Sequence, residues 1–104
     1  MTPPSDVFHA VSDANRRHLL DLLADGEERP VQDLVPYFSI TFQAVSQHLQ
    51  VLAHAGLVTK RKEGRYRLYR IQPDGLRAVF DWAARYRGFW EGRLENLERY
   101  LDET

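Results

Sequence analysis

The spacing of hydrophobic residues near the start of the chain predicts two short amphipathic helices. Apolar side chains recur every three or four residues, first at Val7, Phe8, Ala10 and Val11 and then at Leu19, Leu20, Leu22 and Leu23. This spacing places them on one face of each helix, which would be buried. Ser12 is the expected N-cap of the second helix, and Gly26 is its expected C-terminal cap, because glycine adopts the left-handed conformation without steric cost.

A second pair of helices is predicted further along the chain. Val31, Leu34 and Val35 form a short apolar face that Pro36 must end or kink, because proline has no N–H to donate. Thr41 is the expected N-cap of the following helix. The apolar face of that helix consists of Val45, Leu49 and Leu52. Its opposite face is polar but uncharged and consists of Gln43, Ser46, Gln47 and Gln50.

The pattern changes near residue 58, where β-branched, aromatic and basic residues continue as far as residue 71. Glu63, Gly64 and Arg65 interrupt this stretch, and glycine at such a position is typical of a tight turn. We therefore predict a two-stranded β-hairpin over about 58–71.

Helical spacing returns after Pro73 and continues almost to the end of the chain. The apolar positions are Leu76, Val79, Ala83, Tyr86, Trp90, Leu94, Leu97 and Leu101. They predict one helix over about 74–102. At roughly 40 Å this helix would be too long for the rest of a domain of this size to cover it. Six aromatic side chains lie on the same segment, so we expect it to supply a dimer interface as well as core packing.

Composition bounds the fold and removes several classes of protein. With 104 residues, 43% hydrophobic and 28% charged, the chain fits a single folded domain, residues 1–104, of the α+β, mostly α class. No apolar run approaches the roughly 20 residues of a membrane span, and the first residues do not form a secretory signal, which predicts a cytoplasmic location. The absence of cysteine excludes disulfides, thiolate metal sites and thiol nucleophiles.

The formal net charge of -1 conceals a local basic cluster. Between residues 59 and 73 there are six lysines and arginines and one acidic residue, Glu63, whereas acidic residues exceed basic ones on both sides. The six cations are Lys60, Arg61, Lys62, Arg65, Arg67 and Arg70. Such a cluster is either a solvated loop or a surface that contacts phosphates.

The order of these elements is that of a winged helix-turn-helix domain: two helices joined by a short turn, then a basic hairpin. An α-helix fits the major groove of DNA, where amides such as those of Gln43 and Gln47 can pair with adenine. Basic side chains of the hairpin would neutralise phosphates. The alternative is a helix face that is merely solvated, but the adjacent cationic hairpin favours DNA contact.

Two segments resemble the signature stretches of ArsR-type (ArsR/SmtB) winged helix-turn-helix transcriptional repressors. They are residues 13–23, DANRRHLLDLL, and residues 41–58, TFQAVSQHLQVLAHAGLV. The segments 62–65 and 69–71 are similar to the wing of that family. The resemblance implies a homodimer that binds an inverted-repeat operator in double-stranded DNA, with its first and last helices at the interface.

The resemblance also implies roles for individual residues. Base contacts would come from Gln43, Ser46 and Gln47. Contacts to the DNA backbone would come from Thr41, His48, Lys60, Arg61, Lys62, Arg65 and Arg67. The dimer interface would include Phe8, Leu76, Trp82, Tyr86, Phe89, Trp90, Leu94 and Leu97.

Some of these positions have a second interpretation. Thr41 could serve only as a helix cap, and His48 fits a hydrogen bond between packed helices as well as a phosphate contact. Arg16 and Arg17 could touch the DNA backbone, but a salt bridge to an aspartate of the same helix explains one of them better.

The segments that bind metal in the metal-sensing members of this family have different residues here. Their Cys-x-Cys pair is replaced here by VQDL at residues 31–34. The Asp and His ligands that other members carry on the last helix are also missing, because all four histidines, His9, His18, His48 and His54, precede residue 55. We therefore expect no metal and no cofactor, and the effector is unknown.

No enzyme motif stands out in the sequence. Paired carboxylates, a phosphate-binding glycine loop and a Ser/His/Asp arrangement are not evident, and the six glycines are dispersed as caps and turns. The alternative to a DNA-binding regulator is a winged-helix module whose hairpin binds an acidic protein partner.

Overall fold

The computed structural model describes residues 5–92. The helices are Ser5–Val11 (α1), Ala14–Leu22 (α2), Val31–Leu34 (α3), Phe42–His54 (α4) and Arg77–Ala84 (α5). The strands are Arg29–Pro30 (β1), Val58–Glu63 (β2) and Tyr66–Ile71 (β3). Turns of 3-10 helix lie at Val35–Tyr37 and Pro73–Leu76.

Helix α2 is capped one residue later than the sequence suggests. The carboxylate of Asp13 accepts hydrogen bonds from the backbone N–H groups of Asn15 and Arg16, at 2.8 and 3.1 Å. Ser12, the expected cap, instead donates its hydroxyl to the carbonyl oxygen of His9 at 2.6 Å. The prediction for Ser12 is therefore wrong, because one oxygen of Asp13, Oδ1, accepts both bonds at the position where the free N–H groups of the helix begin.

Helix α4 begins at the predicted cap. The side-chain oxygen of Thr41 accepts a hydrogen bond from the backbone N–H of Ala44 at 3.0 Å. After Ala55 the chain turns at Gly56, whose φ of 81° lies in the left-handed region that favours glycine. Between α3 and α4, Pro36 lies in a short 3-10 turn, so α3 cannot continue into α4. Helices α3 and α4 thus form the helix-turn-helix unit.

The predicted hairpin is confirmed, and a third strand joins it. Strands β2 and β3 pair antiparallel from Val58 opposite Ile71 to Glu63 opposite Tyr66. The turn between them contains Gly64 with a φ of 61°. Strand β1 pairs with the other edge of β3, so the sheet order is β1-β3-β2. The hairpin is therefore anchored to the segment that precedes α3.

The hydrophobic core lies between the helices and the base of the hairpin. Its fully or nearly fully buried members are Ala10, Leu19, Leu20, Leu23, Val31, Leu34, Val45, Leu49, Leu52, Leu57, Val58 and Tyr69. The three predicted apolar positions of α4 are 0% exposed, as is the side chain of Tyr69 in β3. Burial of these groups fixes α4 and the hairpin against one another.

The last predicted helix is not continuous. Residues 73–76 form a 3-10 turn, α5 ends at Ala84, residues 85–86 form a turn, and residues 87–92 are again helical. The backbone N–H groups of Arg85 and Tyr86 bond to carbonyls three residues earlier, which is tighter than an α-helix. Gly88 follows, and glycine lowers helix stability. The predicted stretch over 93–102 lies outside the described residues.

Candidate nucleic-acid interface

Helix α4 presents an amide-bearing face to solvent. Gln43, Gln47 and Gln50 are exposed, and Ser46 is half-buried between them. The opposite face of the helix is held in the core, so its rotation about its own axis is fixed. The polar side chains therefore project from a rigid element, as base contacts in the major groove require.

The N-terminal end of α4 carries a cap and an aromatic side chain. Thr41 is exposed, and its side-chain oxygen is engaged in the cap. Phe42, the first residue of the helix, has 51% of its side chain exposed. The sequence pattern does not single out Phe42, because a residue at the helix start lies outside the regular spacing of apolar positions.

Strand alternation places two lysines and an arginine of the hairpin on the side that faces α4. Successive side chains on a strand point to opposite faces, so Lys60 and Lys62 share the face of the buried Val58, and Arg67 shares that of the buried Tyr69. We call this the inner face of the wing. It is the side on which the hairpin packs against the helices.

A cleft of about 380 Å³ separates the inner face of the wing from the N-terminal half of α4. Its lining residues are Val31, Gln32, Phe42, Ser46, Lys62, Gly64, Arg65 and Arg67. Ser46 and the hairpin cations, which are distant in sequence, therefore meet around one cavity. Positive charge beside a polar helix face suits a phosphodiester backbone that passes between helix and hairpin.

The outer face of the wing carries Arg61 and Arg70, and both form hydrogen bonds within the chain. Arg61 donates to both carboxylate oxygens of Glu28, at 3.0 and 2.8 Å, and to Glu63 at 3.0 Å. Arg70 donates to the carbonyl oxygen of Gly26 at 3.0 Å. The hydrogen bonds and charge of Arg61 lower the pKa of the Glu28 carboxyl. In the described structure Arg61 is paired with these carboxylates on the side away from the cleft, and the backbone contact expected for it stays a prediction.

Arg16 and His48 are turned towards the interior and towards each other. Arg16 is only 8% exposed, and its guanidinium contacts carbonyl oxygens of α1 and the ring of His48. In the described structure Arg16 does not form the expected salt bridge, and its guanidinium faces the interior and not the surface where DNA would bind. Arg17 donates to the carbonyl oxygen of Val11 at 2.7 Å, again a contact to the end of α1. For His48, the packing alternative is the one that the contacts favour.

A second prominent surface lies on α5 and the helical residues that follow it. We call it the aromatic surface, and it consists of Phe80, Trp82, Tyr86, Phe89 and Trp90, each between 46% and 62% exposed. Trp82, Tyr86 and Trp90 form a ladder with ring centroids 5.8 and 6.3 Å apart. Phe8 of α1 meets Trp82 edge-on at 6.0 Å, which joins α1 to this surface.

Other predicted interface residues have different positions. Leu76 is half-buried and packs against the core of its own chain, and its place in a dimer interface stays a prediction. Leu94 and Leu97 lie outside the described residues. Phe8 is half-buried by contacts within the chain.

Within residues 5–92 there is no group of three or more His, Cys, Asp and Glu side chains arranged to hold a metal ion. In the same part of the chain, no helix has the length and apolar character needed to cross a membrane. The carboxylate of Glu91 forms a surface ion pair with Arg87, with 3.8 Å between its oxygen and Nε of the guanidinium.

The fold and the cleft define the class: a helix-turn-helix with a polar outer helix face, flanked by a basic hairpin, is a winged helix-turn-helix domain. Residues 13–60 match the sequence profile described as "Bacterial regulatory protein, arsR family". The chain belongs to this family of transcriptional regulators, which are DNA-binding proteins and not enzymes.

Relatives and solved structures agree with this assignment. The HTH-type transcriptional regulator Rv2034 of Mycobacterium tuberculosis is 34% identical over 99 residues, covering 95% of this chain and 89% of the relative. The transcriptional repressor SdpR of Bacillus subtilis is 31% identical over 78 residues, covering 75% and 86%. A solution structure of a homodimeric winged helix-turn-helix DNA-binding domain from Mycobacterium bovis, a possible ArsR-family regulator, is similar with a TM-score of 0.63 and 34% identity, covering 79% of this chain and 78% of that one.

Proposed function

We propose that this protein is a homodimeric repressor that binds an inverted-repeat operator, with α4 of each protomer in the major groove of one half-site. The observation that carries the proposal is the cleft in which Ser46 of α4 meets Lys62, Arg65 and Arg67 of the wing. A helix in the major groove places its flanking hairpin beside the adjacent backbone, which these cations would neutralise.

Base contacts are proposed for Gln43, Ser46 and Gln47. The two glutamines are exposed on a helix whose other face is locked in the core, so their amides can reach base edges without reorganisation of the backbone. A glutamine amide can donate to and accept from adenine in the major groove, and a hydroxyl can pair with several bases. Gln43 and Gln47 would therefore supply most of the base discrimination.

Backbone contacts are proposed for Thr41, Lys60, Lys62, Arg65 and Arg67. The lysines and Arg67 are on the inner face of the wing, Arg65 is at its tip, and Thr41 is at the N-terminus of α4, where helix N–H groups attract phosphate. Arg61 is left out of this set because it is paired with Glu28 and Glu63. His48 is left out because its ring is half-buried and its Nδ1 faces Arg16.

The aromatic surface is the proposed dimer interface, together with Leu94 and Leu97 of the segment beyond the described residues. Five large aromatic side chains so exposed in a small domain form a patch that monomeric proteins rarely carry. The homodimeric neighbour from Mycobacterium bovis supports a two-fold assembly for this chain. A symmetric pair would present two copies of α4 to two half-sites.

Regulation is proposed to occur without a metal ion, in the cytoplasm, where the DNA of a bacterial cell lies. The chain has no cysteine, and residues 5–92 contain no cluster of metal-ligating side chains. Release from DNA would depend on an unidentified ligand, on a protein partner or on the amount of the regulator.

The test is a titration with duplex DNA at several salt concentrations. An inverted-repeat duplex selected from random sequence should bind more tightly than a scrambled duplex, and its affinity should fall steeply as salt rises. Equal affinity for both duplexes would contradict sequence-specific regulation. Absence of DNA binding, with capture of an acidic polypeptide by the wing, would favour the protein-interaction alternative.

A further inference from the structure

One buried guanidinium joins three helices at the back of α4. Nε of Arg16 donates to the carbonyl oxygen of Ala10 at 2.7 Å, and Nη2 donates to that of His9 at 3.0 Å. Nη1 lies 3.2 Å from Nδ1 of His48. Arg16 belongs to α2, the two carbonyls belong to the last turn of α1, and His48 lies in the middle of α4.

The chemistry of the two groups fixes the protonation state that this contact requires. A guanidinium has only donors, so Nδ1 of His48 must act as the acceptor. The imidazole must then be neutral, with its proton on Nε2. A proton added to Nδ1 would remove the acceptor and place a second positive charge against Arg16.

The carbonyl contacts explain why Arg16 cannot simply move away. The last carbonyl groups of a helix have no partner within that helix, and the guanidinium donates to two of those in α1, of which the carbonyl of His9 also accepts from Ser12. Arg16 is also 8% exposed, so a shift in its position would uncover buried polar groups. When His48 loses its acceptor, α4 is therefore the element that must adjust.

We propose that the hydrogen bond from Arg16 to His48 positions α4 against α1, and that protonation of His48 releases this contact and weakens operator binding. The inference rests on the proposed function of α4 as the DNA-contacting helix. Arg16 and His48 are positioning residues in this scheme, since neither touches DNA. Because Phe8 of α1 contacts Trp82, the same bond also connects α4 to the aromatic surface.

The charged groups around His48 set the sign of the effect. From α2 it faces Arg16 in direct contact and the more distant carboxylate of Asp13. Asp13 already accepts two backbone N–H groups, and α1 offers backbone carbonyls to Arg16, while the imidazole of His9 on the same helix is exposed. Protonation of Nδ1 removes the acceptor that Arg16 requires and places a like charge beside it, so acid breaks the bond.

The sign distinguishes this scheme from a phosphate contact by His48. A histidine beside a phosphate binds DNA more tightly when it is protonated, because it gains a positive charge. A histidine that must accept a bond from Arg16 binds DNA less tightly when protonated. Imidazole is the side chain that changes charge in the range between pH 5 and 8, so both effects are measurable with the folded protein.

The experiment compares operator affinity of wild type, His48→Asn and His48→Ala between pH 8.0 and 5.5 at fixed ionic strength. The amide oxygen of asparagine can replace Nδ1 as acceptor but does not titrate. We expect the wild type to lose about tenfold more affinity on acidification than His48→Asn, as the loss of a hydrogen bond to a charged group implies. At pH 8.0, His48→Asn should bind like wild type, and His48→Ala should bind more weakly.

Parallel pH profiles of wild type and His48→Asn would overturn the inference, and so would a wild type that gains affinity in acid relative to that variant. Nitrogen NMR of the free wild-type protein provides a readout that needs neither a variant nor DNA. It should show His48 with its proton on Nε2 at pH 8.0, and a proton on Nδ1 would overturn the contact itself. A wild type without preference for the inverted repeat at pH 8.0 would overturn the proposed function and this inference together.

Discussion

Gly75 lies so close to the carbonyl group of Gly56 that a Cβ atom at position 75 would be 2.2 Å from the carbonyl oxygen and 2.8 Å from its carbon. Gly56 follows the end of α4, and Gly75 lies in the 3-10 turn that leads into α5. The two backbones therefore touch where the end of α4 meets the base of the aromatic surface. A side chain at position 75 would force these elements apart.

The first prediction follows from that contact. Gly75→Ala should lower the free energy of unfolding by about 1–3 kcal/mol, because its methyl group would clash with backbone atoms that cannot rotate away. Chemical denaturation followed by circular dichroism measures the change. Gly88→Ala is the matched control, since nothing lies within 4 Å of a Cβ there and residues 87–92 are helical. Equal stability of the two variants would refute the contact.

The second prediction separates the two faces of the wing. Arg67→Gln should weaken binding to all DNA sequences and reduce the slope of log affinity against log salt by about one, because one phosphate contact is lost. Arg61→Gln, on the outer face, should leave that slope unchanged. Fluorescence anisotropy at several salt concentrations measures both. A larger change in slope for Arg61→Gln than for Arg67→Gln would reverse the assignment of the faces.

The third prediction concerns base discrimination by α4. Gln47→Ala should reduce the preference for operator over a duplex altered at the contacted base pair by about 1–3 kcal/mol. Gln72→Ala removes an equally exposed glutamine outside the helix and should leave the preference intact. Competition titrations with the two duplexes provide the comparison. Full discrimination by Gln47→Ala would remove this residue from the set of base contacts.

The fourth prediction concerns the dimer. Trp90→Glu should raise the dimer dissociation constant by about a hundredfold or more, because it would bury an unpaired charge in an apolar interface. Tyr37→Glu alters an aromatic side chain that is 61% exposed but lies away from the aromatic surface, and it should not change the assembly. Analytical ultracentrifugation of both variants and the wild type measures the dimer dissociation constant. A Trp90→Glu protein that sediments like wild type would place the interface elsewhere.

The fifth prediction is a pH dependence of folding stability that arises from Asp13. Desolvation alone would raise the pKa of its carboxyl, but hydrogen bonds from the backbone N–H groups of Arg16 and Asn15, with the positive charge of Arg16, hold that pKa below its usual value. A carboxyl with a lowered folded-state pKa stabilises the protein above its unfolded-state pKa, and this contribution is lost as the pH falls through the folded-state pKa.

Asp13→Asn should retain the cap but flatten the stability profile below about pH 4, where the free aspartate carboxyl titrates. Asp13→Ala should cost about 1 kcal/mol at pH 7 through loss of the cap. Urea denaturation between pH 7 and 2.5 tests both statements. An Asp13→Asn profile that parallels the wild type in acid would assign the dependence to other groups.

Periodicity along the sequence was sufficient to predict the helix-turn-helix and the wing. The burial of Val45, Leu49 and Leu52 depends only on their spacing along one helix, and the turn at Gly64 depends on local backbone geometry. These are properties of neighbouring residues, so a single sequence contains them. The polar face of α4 followed from the same spacing.

The remaining features depend on contacts between distant residues. Arg61 and Arg67 belong to the same basic cluster, and only the strand register and the pairing of Arg61 with Glu28 place them on opposite faces. The bond between Arg16 and His48 joins residues 32 apart in sequence. The last helix is interrupted where the backbone N–H groups of residues 85 and 86 bond to carbonyls three residues earlier. The spacing of the aromatic residues gives no sign of these bonds.

The contacts of Arg61 and Arg70 hold the outer face of the wing to the loop before β1. Exposed pairs of this kind add little stability, but here they limit the freedom of the hairpin before DNA arrives. Its conformational entropy is lost during folding instead of at binding. In the proposed complex a braced wing would adapt less to the duplex, so sequences that bend easily or narrow their groove would gain affinity at base pairs that no side chain touches.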